Sequence, residues 1–315
     1  MFTNIVLIII GFIFLIKGAE VLVEGASGLA KRFHIPEIII GLTVVSIGTS
    51  MPELFVSLTA AVDGYQDMAI GNVVGSNISN LLLIVGFSAI LRPLEFQKST
   101  KFIDIPICFA TTIIFMILAN IGQGISRLDA AMLSILFAAF IIYTIYMAKS
   151  SSKMDTTEEK ETKERKTIWN ILFILLGIVG LKFGADFVVD NAVSLARIFN
   201  VSEKIISLTI IALGTSLPEL VTSVVAAAKG SSDISIGNII GSNIFNLLFV
   251  IGLPGIINPI NYSISYNVDM TILVVSIIML AIFANTGKKN CMTRANGAIY
   301  LTMYLSYMML LFAKQ

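Results

Sequence analysis

Histidine, cysteine and charge are scarce in this chain of 315 residues, and each scarcity argues against a class of function. The only histidine, His34, lies beside Lys31 and Arg32 near a helix end, where a solvated surface position is expected. Two cysteines, Cys108 in an apolar run and Cys291 near Lys288 and Lys289, are too few and too separated for a disulfide framework or a thiolate metal site. Redox chemistry is therefore not expected. With no histidine at membrane depth there is no metal triad and no nucleophile with its base, which argues against an intramembrane enzyme. Charged residues make up 13% of the chain against 56% hydrophobic ones, and mean hydropathy is +0.91. A soluble globule of this length cannot hide so much apolar surface, so the composition describes a polytopic membrane protein in a lipid bilayer.

Apolar runs of spanning length fall at 3–32, 36–62, 68–91, 102–121 and 128–148, then at 168–197, 203–228, 234–257, 267–285 and 294–312. The first run has no basic segment before it and no small-residue cleavage site after it, and it reads as a retained helix. Between the two sets of five lies 149–167, rich in Ser, Thr, Glu and Lys and without apolar periodicity, which reads as a solvated linker. The expected fold is all-α, with residues 1–148 as one five-helix repeat and 168–315 as a second. Five is odd, so the second set enters the membrane from the opposite side, as in the inverted repeats of transporters. Lys31, Arg32, Arg92, Lys98, Lys101, Lys229, Lys288, Lys289 and Arg294 share the side of the basic linker, whereas only Arg127, Arg197, Lys204 and Lys314 fall on the other. The linker is accordingly expected in the cytoplasm and both termini outside the cell membrane.

One stretch occurs twice. Gly48-Thr49-Ser50-Met51-Pro52-Glu53 returns as Gly214-Thr215-Ser216-Leu217-Pro218-Glu219, and Gly71-Asn72-Val73-Val74-Gly75-Ser76-Asn77-Ile78-Ser79-Asn80 returns as Gly237-Asn238-Ile239-Ile240-Gly241-Ser242-Asn243-Ile244-Phe245-Asn246. Glu219 minus Glu53, Gly237 minus Gly71 and Asn246 minus Asn80 all give 166, and Gly18-Ala19-Glu20 with Glu24 matches Gly184-Ala185-Asp186 with Asp190 at the same offset. Gly48 and Gly214 invite a helix to stop, and Ser50 to Glu53 has the form of a capping box with proline in its first turn. The second and seventh spans are therefore expected to be broken, freeing backbone carbonyls near Ser46, Thr49, Ala212 and Thr215. Ser50, Glu53 and Ser57 share one face, as do Ser216, Glu219 and Ser223. On the partner helices Asn72, Ser76 and Asn80 form a stripe repeated by Asn238, Ser242 and Asn246, while Gly71, Gly75, Gly237 and Gly241 leave room for close approach.

An ionised carboxylate at bilayer depth costs about 2.5–3.5 kcal/mol on insertion scales, and such groups mark ion or substrate paths. Glu53 and Glu219 are the candidates; Glu20, Glu24, Asp186 and Asp190 either line an entrance or anchor helix ends. Carboxylates, hydroxyls, carboxamides and carbonyls are hard oxygen ligands, suited to Ca²⁺ or to several Na⁺ ions rather than to zinc or copper. Such ions are expected as substrates, with no cofactor and no nucleic-acid or protein partner implied.

The two repeated segments resemble the alpha repeats of the sodium/calcium exchanger family, within the wider calcium/cation antiporter superfamily. The short linker is closest to the compact prokaryotic members, since it has no room for the large cytosolic calcium-binding domains of animal ones. The resemblance implies Ca²⁺ ligation by Glu53 and Glu219 with backbone oxygens of Thr49 and Thr215. It implies Na⁺ sites at Ser50, Thr49, Ser76 and the Ser46 carbonyl, and at Ser216, Thr215, Ser242 and the Ala212 carbonyl, with Asn80 and Asn246 completing the centre. Some microbial relatives and the potassium-dependent members carry an acid at the position of Asn246. The resemblance also implies that the helices at 3–32 and 168–197 slide across the core. The function expected is Na⁺/Ca²⁺ antiport, with a proton-coupled Ca²⁺ antiporter as the nearest alternative and an ion channel as a more distant one.

Overall fold

The structure, a computed structural model, describes residues 1–122, 124–151, 166–201, 210, 212–286 and 291–313. Among these residues ten helical stretches follow in two sets of five. The first set is α1 (Phe2–Phe33), α2 (Glu37–Thr49 continued by Met51–Val62), α3 (Gln66–Leu91), α4 (Thr100–Ile121) and α5 (Arg127–Ser151). The second is α6 (Thr167–Ile198), α7 (Ala212–Gly214, then Leu217–Lys229), α8 (Ser232–Ile257), α9 (Tyr266–Thr286) and α10 (Arg294–Ala313). Among the described residues, seven of these helices are long and apolar enough to cross a bilayer, and the bent pair from Glu37 to Val62 makes an eighth. The expected beginning of the seventh span and most of the linker lie outside the described residues. Helix α5 continues to Ser151, past the expected boundary at 148, with Lys149 in its last turn where a cation is favoured by the helix dipole.

The helices form an inner and an outer layer. The apolar stretches of α3 and α8 are 78% and 83% buried, against 28% in α1 and 22% in α5, so the two helices that carry the Gly-Asn segments are the centre of the bundle. Their Ile70, Val73, Ile78, Leu81, Ile239, Ile240, Ile244 and Leu247 are fully or almost fully buried. On the outside, α1 and α6 lie against each other along their length through glycines. A methyl group placed on Gly18 would stand 2.8 Å from the Leu181 nitrogen, and one on Gly177 would stand 2.7 Å from the Leu22 nitrogen. Only glycine allows so close a crossing.

The halves mirror one another beyond the motifs. His34 has a left-handed backbone (φ 51°) at the end of α1, and Asn200, 166 positions on, does the same (φ 56°) after α6. His34 therefore terminates a helix, in agreement with its surface reading. The all-α fold also carries two short ladders in its connections: β1 (Leu94–Glu95) pairs antiparallel with β4 (Cys291–Met292), and β2 (Gly124–Ile125) with β3 (Ile260–Asn261). Each two-residue ladder joins a connection of one half to a connection of the other and satisfies backbone groups that the helices leave unpaired.

Candidate cation site

The break in α2 falls at Ser50, where the backbone leaves helical geometry (φ −86°, ψ 9°), and the two segments meet at 47°. Ser216 has nearly the same geometry (φ −88°, ψ 4°) ahead of Leu217. Gly48 does not end the helix, since it lies within Ser46–Thr49. Its role is packing: an added methyl would come within 2.6 Å of Ile178 on α6, and one on Gly214 within 2.6 Å of Val189. The expected capping box is absent as well, for Ser50 makes no side-chain cap. Its hydroxyl has turned to the other half of the molecule.

That turn defines the site. Ser50 Oγ donates to Glu219 Oε1 at 2.8 Å and lies 2.9 Å from Ser242 Oγ. The equivalent Ser216 Oγ donates to Glu53 Oε1 at 3.4 Å and lies 3.2 Å from Ser76 Oγ, and Ser76 Oγ is 3.5 Å from Glu53 Oε1. Each glutamate is thus held by the serine of the opposite repeat. The asparagines cross in the same way: Thr49 Oγ1 donates to Asn238 Oδ1 at 3.0 Å and Thr215 Oγ1 to Asn72 Oδ1 at 3.5 Å. Each of these asparagines anchors its own half, Asn72 through Ser57 Oγ at 3.1 Å and Asn238 through Ser223 Oγ at 2.9 Å.

Glu53, Glu219, Ser50 and Ser242 are wholly buried, yet Glu53 Oε2 and Glu219 Oε2 have no hydrogen-bond partner. The same is true of Asn80 Oδ1 and Asn246 Oδ1. Buried acceptors without a donor cost about 1–3 kcal/mol each, a cost that a cation brought among them would offset. Asn80 and Asn246 belong to stretches of wider, π-type winding, Ser79–Ile84 and Asn246–Val250, a feature frequent at functional sites that the apolar pattern did not announce. A cavity of about 510 Å³, lined by Tyr266, Asp269 and Tyr307 among others, reaches Asn72, Ser76 and Thr215 from the side where α3 begins.

Of the twelve residues singled out, Glu53, Glu219, Ser50, Ser216, Ser76, Ser242, Thr49 and Thr215 are joined by these crosswise contacts. The Ser46 carbonyl accepts from the Ser50 amide at 3.0 Å, with Thr49 Oγ1 3.3 Å away, and its oxygen has a second lone pair. Ala212 opens the short helix before the second break. A direct Asn80–Asn246 bond, the simplest architectural role for the pair, is not formed; Asn246 Nδ2 donates instead to Asn77 Oδ1 at 3.0 Å. Asn77 escaped the sequence reading because it lies off the i, i+4, i+8 stripe, although its repetition as Asn243 was the available signal. Of the outer acids, Glu20 pairs with Lys17 at 2.8 Å and Asp186 with Lys182 at 2.5 Å, both about a turn away on the same helix, and Asp190 is exposed.

Two five-helix halves of opposite topology, meeting at a buried oxygen-lined centre between broken helices, define the architecture of a secondary transporter. The sequence profile described as sodium/calcium exchanger protein matches residues 3–146 and 169–313, and the chain belongs to the sodium/calcium exchanger family. It is 39% identical over 283 residues to the inner membrane protein YrbG of Escherichia coli, covering 86% of each chain. It is 29% identical over 346 residues to the sodium/calcium exchanger MaX1 of Methanosarcina acetivorans, covering 98% of each. The solved structure of the sodium-calcium exchanger NCX_Mj in Na⁺ and Sr²⁺ has a TM-score of 0.84 at 29% identity, over 96% of this chain and 97% of that one.

Proposed function

We propose that the chain is a secondary active antiporter that exports Ca²⁺ in exchange for Na⁺ by alternating access, electrogenically and without K⁺. The observation that carries this reading is the set of partnerless buried oxygens on Glu53, Glu219, Asn80 and Asn246. Two carboxylates neutralise one divalent ion, and the surrounding hydroxyls, carboxamides and backbone oxygens bring the ligand number toward the six to eight that Ca²⁺ takes. The same oxygens serve Na⁺, so occupancy by one ion excludes the other and exchange follows. The cation set is Glu53, Glu219, Thr49, Thr215, Ser50, Ser216, Ser76, Ser242, Asn80 and Asn246, with the backbone oxygens of Ser46 and Ala212. In this reading residues 1–148 and 168–315 are the two repeats, 149–167 is a cytoplasmic linker, and both termini are outside the cell.

Stoichiometry follows from the driving forces. Against a Ca²⁺ gradient of about 10⁴ and a potential of about 100 mV, export costs roughly 10 kcal/mol, of which about 5.5 is the gradient and 4.6 the two charges. Each Na⁺ descending a tenfold gradient returns about 3.7 kcal/mol, so two supply about 7 and three about 11. Three are needed, and exchange carries net charge. Asn80 and Asn246 are neutral carboxamides, whereas the potassium-dependent members of the superfamily that the motifs resemble carry an acid at the position of Asn246, so K⁺ is not expected as a co-transported ion. The test is ⁴⁵Ca²⁺ uptake into proteoliposomes loaded with Na⁺, with K⁺ or with a pH gradient, under a valinomycin-clamped potential. Uptake is expected only with internal Na⁺, and at a rate that changes with the clamped potential. Uptake driven by protons alone defeats this reading in favour of proton coupling, and flux needing no counter-ion defeats it in favour of a channel.

A further inference from the structure

A carboxamide has two ends of opposite use to a cation: its oxygen ligates, and its NH₂ repels. A carboxylate has no wrong end. Asn246, wholly buried, therefore needs something to set its orientation. Its NH₂ donates to Asn77 Oδ1 at 3.0 Å, and Asn77, wholly buried as well, donates its own NH₂ to the backbone carbonyl of Asn243 at 3.2 Å. A backbone carbonyl only accepts, so it dictates which end of Asn77 turns toward it. The oxygen of Asn77 is then the end that meets Asn246, and the Asn246 NH₂ is consumed. What remains of Asn246 is a buried oxygen with no donor.

We infer that Asn77 is a positioning residue for cation binding, orienting the Asn246 carboxamide so that only its oxygen is offered to the ion. This rests on the reading that Asn246 belongs to the cation centre. Architecture alone does not account for the arrangement, because the other half lacks it. Asn243 occupies the position equivalent to Asn77, 166 residues on, and neither its Nδ2 nor its Oδ1 has a partner. Asn80, equivalent to Asn246, likewise has both atoms without one. The chain fixes one of its two central carboxamides, Asn246, and leaves the other, Asn80, without a hydrogen-bond partner.

The test is a double-mutant cycle read by Ca²⁺ titration calorimetry on purified protein: the parent, Asn77→Leu, Asn246→Asp and the double variant. Leu has the branched heavy-atom skeleton of Asn, is larger, and neither donates nor accepts a hydrogen bond, so Asn77→Ala is run beside it as the smaller replacement. Asn77→Leu is expected to weaken Ca²⁺ binding about tenfold in the parent. The same change is expected to weaken it less than about twofold beside Asn246→Asp, because a carboxylate presents an oxygen whichever way it turns. Asn243→Leu, which breaks no side-chain hydrogen bond, is expected to leave affinity near that of the parent. Equal losses from Asn77→Leu in both backgrounds would mean a merely structural role and overturn the inference. A parent that binds neither Ca²⁺ nor Na⁺ overturns the functional reading, and this one with it. If Asn77→Leu does not fold, Asn77→Ala takes its place in the cycle with the same expectations.

Discussion

Ser50 and Ser216 do the same thing in the two halves, whereas Asn77 and Asn243 do not, and the contrast separates what duplication preserves from what each copy has made its own. The crosswise serine–glutamate and threonine–asparagine contacts obey the pseudo-twofold relation, because each partner has a counterpart 166 residues away. Neither glutamate is complete without the opposite repeat. The amides at the centre break the relation: Asn77 and Asn246 are bonded, while Asn80 and Asn243 are not. The second copy also replaces Ser79, which meets the Tyr304 hydroxyl at 3.2 Å, with Phe245, which packs on Phe137 at 5.3 Å between ring centres. In the proposed reading, an ion at the axis would meet a symmetric cage of hydroxyls and acids with one amide held by a hydrogen bond and one without a partner.

The largest expected effect tests the symmetric part. Glu53→Gln and Glu219→Gln should each reduce Ca²⁺ affinity by more than about a hundredfold, since either change leaves a divalent ion facing one carboxylate in a low-dielectric site. Isothermal titration of the two variants measures it, and near-parental affinity in either one would move the site elsewhere.

A smaller effect is expected where the helices cross. A methyl on Gly241 would stand 2.6 Å from the Leu42 carbonyl oxygen and 2.6 Å from Ser46 Oγ, and one on Gly237 would stand 2.7 Å from the Ile38 carbonyl oxygen. Backbone atoms cannot give way as a side-chain tip can, so Gly241→Ala and Gly237→Ala should each destabilise the protein by about 1–3 kcal/mol. Thermal unfolding in detergent reads this as a fall in Tm; an unchanged Tm would mean that the crossing is looser than these distances. The equivalents of Ile38 and Leu42 beside Gly71 and Gly75 fall at 204 and 208, outside the described residues.

The smallest effect tests how far the symmetry extends in detail. Ser50 donates to Glu219 at 2.8 Å and Ser216 to Glu53 at 3.4 Å, so Ser50→Ala removes the stronger charge-assisted bond. Ser50→Ala should cost about tenfold in Ca²⁺ affinity and Ser216→Ala only about threefold. Identical losses would show that the difference in length has no energetic weight.

Much of the candidate site was legible as a cluster of repeated polar residues because it is written twice. A strict 166-residue offset, glutamates in apolar surroundings and hydroxyls at helical spacing are properties of the chain, and hydrocarbon makes each costly to keep without a use. The helix breaks and the odd number of spans per half follow from the same local rules, and with them the inverted topology. The chain by itself could not say what the motif residues touch. Local rules read Ser50-x-x-Glu53 as a capping box and Gly48 as a stop, since within one helix those are the available partners. In the folded molecule the opposite repeat brings Glu219 to Ser50, and α6 brings Ile178 to Gly48. The winding at Asn80 and Asn246 and the orientation of the Asn246 amide were likewise decided by packing. A carboxamide's two ends are chemically distinct yet nearly equal in shape, so only the neighbours that three dimensions supply could choose between them.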